Sequence, residues 1–258
     1  MEDINTQMFE ALESNNIQAI RLCIENGADI NVVDDEQLGM TPLIMACQLG
    51  NTDIVRLLLD SGANIDLYCE FGFTPLTNAC EYERIEIVRL LVERGANVNL
   101  TSLEGENPLS VAIESDNLQI VQILLDAPTI NINQIDGLDE PHLIKAVLVG
   151  NDEIIEMFIN SGANVNIVNE TNQTALMVGV EERNFSAVKI LLLHEAIIPN
   201  NFNYFDNPNH NLDEEYENKA LELVRAWPTL ITLYTLDYLG MLNHVDFDSI
   251  FMLFDMIS

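Results

Sequence analysis

Thr74-Pro75-Leu76-Thr77-Asn78-Ala79-Cys80, then Ile87-Val88-Arg89-Leu90-Leu91, then Gly95-Ala96: the spacing of these residues decides the fold, because it recurs along the chain. Ala46, Ala79, Ala112, Ala146 and Gly179 hold one equivalent position, at steps of 33, 33, 34 and 33 residues. Around them stand Thr41-Pro42-Leu43, Thr74-Pro75-Leu76, Asn107-Pro108-Leu109, Pro141-His142-Leu143 and Thr174-Ala175-Leu176. Nineteen residues after the leucine come Gly62-Ala63, Gly95-Ala96 and Gly162-Ala163, and a first copy runs from Met8 through Ala11 to Gly27-Ala28. A fixed period of this length marks a stacked array of supersecondary units.

Each element has a physical role. Thr41 and Thr74 can cap a helix by accepting a backbone N–H that has no partner in the first turn. Proline at the first helical position lacks the N–H that would be orphaned there. The small residue on the buried face lets neighbouring helices approach closely. A second helix follows, with apolar residues at helical spacing: Ile54, Val55, Leu57, Leu58, and then Ile87, Val88, Leu90, Leu91. Glycine ends it, because glycine takes the left-handed conformation without steric penalty. Such a unit cannot bury its apolar face alone and must stack on its neighbours.

These motifs resemble the ankyrin repeat, in register over about residues 5 to 198 as six copies. The resemblance implies a solenoid dominated by α-helices, with short β-hairpin tips and two antiparallel helices per unit, whose function is to bind another protein. The first copy lacks the hairpin and the Thr-Pro-Leu anchor, as expected of a cap facing solvent. The fourth replaces Gly-Ala with Ala127-Pro128 and carries one extra residue, and the sixth has Gly179 for alanine and His194-Glu195-Ala196 at its turn.

The domain organisation expected is a repeat domain over 1–198, an Asn-rich connecting loop over 199–211 and helices over 212–258. The last segment reads as a helical cap whose apolar residues, among them Leu230, Leu236, Phe247 and Phe251, cover the end of the sixth copy. Two other readings of it are a module recruiting ubiquitin-ligase subunits and a dimerisation surface.

The 258 residues carry 10 Lys and Arg against 42 Asp and Glu, a formal net charge of -32. Such a chain repels nucleic-acid phosphate and anionic lipid at long range and attracts basic partners. No stretch reaches the roughly 18 apolar residues of a membrane span, and the opening Met1-Glu2-Asp3 lacks the basic start of a secretory leader. Cys23, Cys47 and Cys80 fall on core positions of the repeat, where free cysteine behaves as a small hydrophobe. A reducing, cytoplasmic location is the simplest expectation, with a host cytoplasm implied if the protein is a delivered effector of an intracellular microbe. Abundant Asn and Ile suit an AT-rich genome.

Enzyme chemistry is not expected. No phosphate loop, dinucleotide fingerprint or nucleophile elbow occurs. His142, His194, His210 and His244 lack a second ligand at metal spacing, so no metal and no cofactor are expected. An active site, were there one, would fall in the carboxy-terminal segment.

The resemblance implies a partner site on the hairpin tips and on the exposed positions of each first helix. Carried over to this chain, the candidates are Leu38, Met40, Leu49, Glu70, Phe71, Phe73, Glu81, Tyr82, Leu103, Glu104, Glu106, Glu114, Leu138 and Glu140. Over 25 such positions nine are acidic, where simple proportion to composition gives about four. The apolar members decide more, since exposed contiguous apolar surface marks interaction sites and aromatics serve as interface anchors. The expected site is an apolar-aromatic strip on copies two to four edged by glutamates, suited to a protein partner with a basic and apolar segment and presented by a monomer.

Overall fold

The computed structural model describes residues 3–34, 38–137 and 140–197. Leu138, the 199–211 loop and the 212–258 helices lie outside the described residues. Among the described residues twelve helices follow in pairs. The first helices of the copies are α1 (Ile4–Glu13), α3 (Pro42–Leu49), α5 (Pro75–Glu81), α7 (Pro108–Glu114), α9 (His142–Val149) and α11 (Ala175–Glu181). Their partners are α2 (Ile17–Glu25), α4 (Thr52–Asp60), α6 (Ile85–Glu93), α8 (Leu118–Leu125), α10 (Asp152–Asn160) and α12 (Phe185–Leu193). First helices pack on first helices and second on second, which makes two helical layers. The hairpin tips contribute no strand among the described residues, only single antiparallel bridges Asp34–Met40, Ile135–Pro141 and Val168–Thr174.

The local chemistry matches the sequence pattern. Thr41 Oγ1 accepts from the Ile44 N–H at 3.2 Å and Thr74 Oγ1 from the Thr77 N–H at 3.1 Å. In copy four, Asn107 takes over the cap and Ser110 Oγ accepts back from the Asn107 N–H at 2.8 Å, closing a capping box. Ala46, Ala79, Ala112 and Ala146 are each at most 1% exposed. A Cβ on Gly179, in the sixth copy, would stand 3.3 Å from Val188 Cγ2, so glycine there relieves a tight contact. Gly62 and Gly95 close their second helices at φ +93° and +86°.

The irregular copies solve the same problem differently. In copy six Glu195 takes the left-handed conformation at φ +65°. The Ala196 N–H still reaches Leu191 O at 3.0 Å, the same closure that Ala63 makes on Leu58. A non-glycine residue held there costs about 1–2 kcal/mol. In copy four the extra residue is absorbed between Asp126 and Asn131, because the next inter-copy bond, Asn131 N–H to Asn99 Oδ1 at 2.8 Å, is in place.

That bond belongs to a ladder absent from the motif reading. The Asn31, Asp66, Asn99, Asn133 and Asn166 side chains accept the N–H of Asn64, Asn97, Asn131, Asn164 and Ile197, at 2.7–2.9 Å. Asparagine also caps α2, α4, α8, α10 and α12. The asparagine content therefore has a structural use, pairing backbone groups that no sheet satisfies.

Candidate functional site

The tips of copies two to five are joined to one another through backbone bonds. The Glu70 N–H donates to Leu38 O at 3.0 Å, Leu103 N–H to Phe71 O at 2.9 Å and Gly137 N–H to Gly105 O at 2.8 Å. Gly105 has φ +91°, and a Cβ on it would lie 2.5 Å from Gly137 Cα, so the tips of copies four and five touch main chain to main chain. This row of tips holds its side chains in a fixed order beside the first helices.

Beside the tips a cleft of about 480 Å³ opens across copies two to four. Leu38, Met40, Phe71, Phe73, Glu81, Tyr82, Glu104, Glu106 and Glu114, all candidates from the sequence, line it. Gln48, Cys69 and Asn78 line it as well. Leu38 is 51%, Phe71 40% and Tyr82 41% exposed, so large apolar groups at the cleft stay open to solvent. Leu49, Glu70 and Leu103 are exposed on the same copies without lining the cleft, and Leu103, at 80% exposure, projects furthest into water. Glu140 is half-buried in copy five, where its N–H donates to Asp136 Oδ1 at 3.0 Å.

Cys69 and Asn78 were missed by the repeat reading. Asn78 stands one residue before the alanine, where Met45, Val111, Lys145 and Val178 are all buried in their copies. Only in copy three is that position half-buried and polar.

The carboxylates of the cleft are close enough to sense one another. Burial raises the Glu106 carboxyl above the usual range, repulsion from Glu114, Glu81 and Glu104 adds to it, and Lys145 opposes it. One of these carboxylates, Glu114, is paired with Lys145 of the next copy. Burial alone would lower the lysine's pKa, but hydrogen bonds from its ammonium to Glu114 Oε1 at 2.6 Å and to the Asp136 carboxylate raise it. Beneath it His142 is buried, its Nε2 3.0 Å from Asn107 Nδ2, and desolvation lowers its pKa to about 4. The ring is neutral at pH 7, and its Nε2 pairs with the Asn107 side-chain amide, 3.0 Å from Nδ2 and 3.1 Å from Oδ1, while Asn107 Oδ1 also accepts the Leu109 and Ser110 N–H groups. His142 thus replaces the anchor proline with a polar bridge between copies four and five.

The profile of the family described as "Ankyrin repeats (3 copies)" matches residues 8–102, 66–136 and 137–204, about three quarters of the chain. The chain belongs to the ankyrin-repeat family. Solved structures place this ankyrin array among similar ones. The ankyrin repeat domain of Bcl-3, described as a member of the IkappaB family, superimposes with TM-score 0.70 at 25% identity over 76% of this chain and 89% of that one. A chain in the complex of a predatory endopeptidase from Bdellovibrio bacteriovorus with its immunity protein gives TM-score 0.63 at 30% identity over 72% and 96%. An ankyrin repeat domain from Acinetobacter baumannii, 23% identical with TM-score 0.68 over 74% and 98%, shares the fold.

Curated relatives match shorter stretches of the chain. Human protein phosphatase 1 regulatory subunit 27 is 41% identical over 59 residues, 23% of this chain. The putative E3 ubiquitin-protein ligase XBAT34 of Arabidopsis thaliana is 36% identical over 62 residues, 24% of this chain. The chain spans 37% of the first relative's length and 16% of the second's. An ankyrin array is a protein–protein interaction module and typically has no enzymatic activity of its own. Among the described residues no group of three His, Cys, Asp or Glu side chains could hold a metal, and no helix is long and apolar enough to cross a membrane.

Proposed function

We propose that the chain binds a protein partner along the row of tips and first helices of copies two to four. The observation that carries this reading is the cleft itself. Leu38, Phe71 and Tyr82 remain exposed around it, Met40 and Phe73 are half-buried within it, and Glu81, Glu104, Glu106 and Glu114 edge it. Exposed apolar surface rimmed by polar groups is the character of a binding site rather than of a surface built for solubility. Aromatic anchors supply affinity there, while rim carboxylates act mainly on association rate and salt dependence.

The test compares affinity capture by the wild-type chain and by Phe71→Ser/Phe73→Ser/Tyr82→Ser from eukaryotic cell lysate. A protein retained by the first and lost by the second supports the cleft. Retention by both moves the site elsewhere on the chain.

The adaptor reading draws on the likeness to the putative ubiquitin-protein ligase, of which the chain spans 16%. Co-purification of cullin-type subunits, lost on removing residues 212–258, separates it from simple binding. The effector reading adds delivery into a host cell, and retention of the partner from host lysate alone would support it.

A further inference from the structure

The array contains its own precedent for what the cleft carboxylates take up. Glu114, two residues after Ala112, receives the Lys145 ammonium of the next copy at 2.6 Å. One copy earlier the equivalent carboxylate is Glu81, two residues after Ala79, and the position equivalent to Lys145 is Val111. Glu81 thus lines the cleft without the cation that the next copy supplies to Glu114.

Two further groups point the same way. Glu106 is half-buried and crowded by Glu114, Glu81 and Glu104, which raises the cost of keeping it charged until a cation arrives. Asn78 Oδ1 is shielded from solvent with no hydrogen-bond partner, on a side chain that lines the cleft. An acceptor left in this way costs free energy that a donor would recover. Among the described residues no Lys or Arg lines the cleft, while Phe73 and Tyr82 give it apolar wall. An aliphatic stem on apolar wall with a charged head on carboxylates is how lysine and arginine side chains partition.

We propose that the cleft takes one Lys or Arg side chain of the partner protein, its cationic head on Glu81, Glu106 and the Asn78 carbonyl, its stem against Phe73 and Tyr82. This rests on the cleft being the partner site and adds the chemistry of the residue that enters it.

The probe is a phage-displayed library of random dodecapeptides selected on the full chain. Selected peptides are labelled and titrated against the wild type, Glu81→Gln/Glu106→Gln and Phe73→Ser/Tyr82→Ser. The expected peptides carry a Lys or Arg beside a large apolar residue. Changing that cation to glutamine weakens wild-type binding about tenfold or more, in line with the strength of hydrogen bonds to charged groups. The same change has little further effect on Glu81→Gln/Glu106→Gln, because the two losses are one interaction. Peptides that bind the wild type and Glu81→Gln/Glu106→Gln equally, yet fail on Phe73→Ser/Tyr82→Ser, overturn the cation site and leave the cleft as partner site. Peptides indifferent to both variants, or a selection that yields none, overturn both.

Discussion

Lys145 Nζ lies 3.1 Å from Asp136 Oδ2, with the lysine side chain 8% and the aspartate side chain 0% exposed. The lysine comes from α9 and the aspartate from the tip that precedes it, so the pair staples tip to helix within copy five. Its second contact, to Glu114, ties copy five to copy four. Removing one member of a buried pair is costly because the other charge stays desolvated, typically by about 3–5 kcal/mol. Lys145→Met should therefore destabilise the array by about that much, although Met45 occupies the equivalent position in copy two without difficulty. Urea unfolding measures it, and a loss below about 1 kcal/mol, the range of exposed pairs, would show that water reaches Asp136.

His142 makes stability depend on acid. Its folded pKa is lowered to about 4 from the usual 6.5, so the unfolded chain binds a proton that the folded chain refuses. This contribution is intact above pH 6.5, declines as pH falls and is gone below about pH 4, with about 3 kcal/mol lost in all. Glu106 and Glu140, whose folded pKa values are raised, act in the opposite sense as the pH falls. Comparing the wild type with His142→Leu isolates the histidine. The variant should lose less stability between pH 6.5 and 4.5 than the wild type, by chemical denaturation at each pH. Parallel curves would mean that His142 accepts a proton in the folded state.

Helix pairs were legible in the sequence because their determinants are local. Thr41 and Thr74 cap within three residues, proline follows, and glycine closes the second helix. The cleft was largely legible because Phe71, Phe73, Glu81, Tyr82 and Glu106 fall at positions that recur with the period. Asn78 was not, since its half-open state depends on which neighbours cover it, and its equivalents in copies two, four, five and six are buried. The Lys145–Asp136–Glu114 cluster was invisible for a similar reason. It joins three residues that are unremarkable singly, and only the stacking distance between copies brings Glu114 to Lys145. Asparagine abundance has a structural use that composition does not reveal, since the ladder gives a bond to Asn31, Asn99, Asn133 and Asn166.

Gly105 and Gly62 separate two costs of replacing a glycine. Both have positive φ, +91° and +93°, but a Cβ on Gly62 meets nothing within 4 Å, while one on Gly105 meets Gly137 backbone at 2.5 Å. Gly62→Ala should cost about 1–2 kcal/mol, the conformational penalty alone. Gly105→Ala should cost more, since the tips must part and the Gly137 N–H to Gly105 O bond weaken. Thermal unfolding of both variants checks the order, and faster amide exchange at Gly137 in Gly105→Ala locates the damage. Equal losses would show that the tips can separate freely.

Asn99 tests the ladder by function of each atom. Its Oδ1 accepts the Asn131 N–H at 2.8 Å, and its Nδ2 donates to Thr129 O at 2.7 Å. Both contacts hold the segment in which copy four absorbs its extra residue, so this rung bears on the least regular junction of the array. Asn99→Ala removes both and should cost about 1–3 kcal/mol, the range for leaving backbone groups without a partner. Asn99→Asp keeps the acceptor and loses the donor, as Asp66 does one copy earlier, where it accepts the Asn97 N–H at 2.9 Å. The aspartate variant should therefore lose less than the alanine variant. Hydrogen exchange at Asn131 should rise in Asn99→Ala and stay near wild type in Asn99→Asp. If exchange at Asn131 is the same in all three proteins, the N–H is satisfied by water and the ladder contributes order without stability.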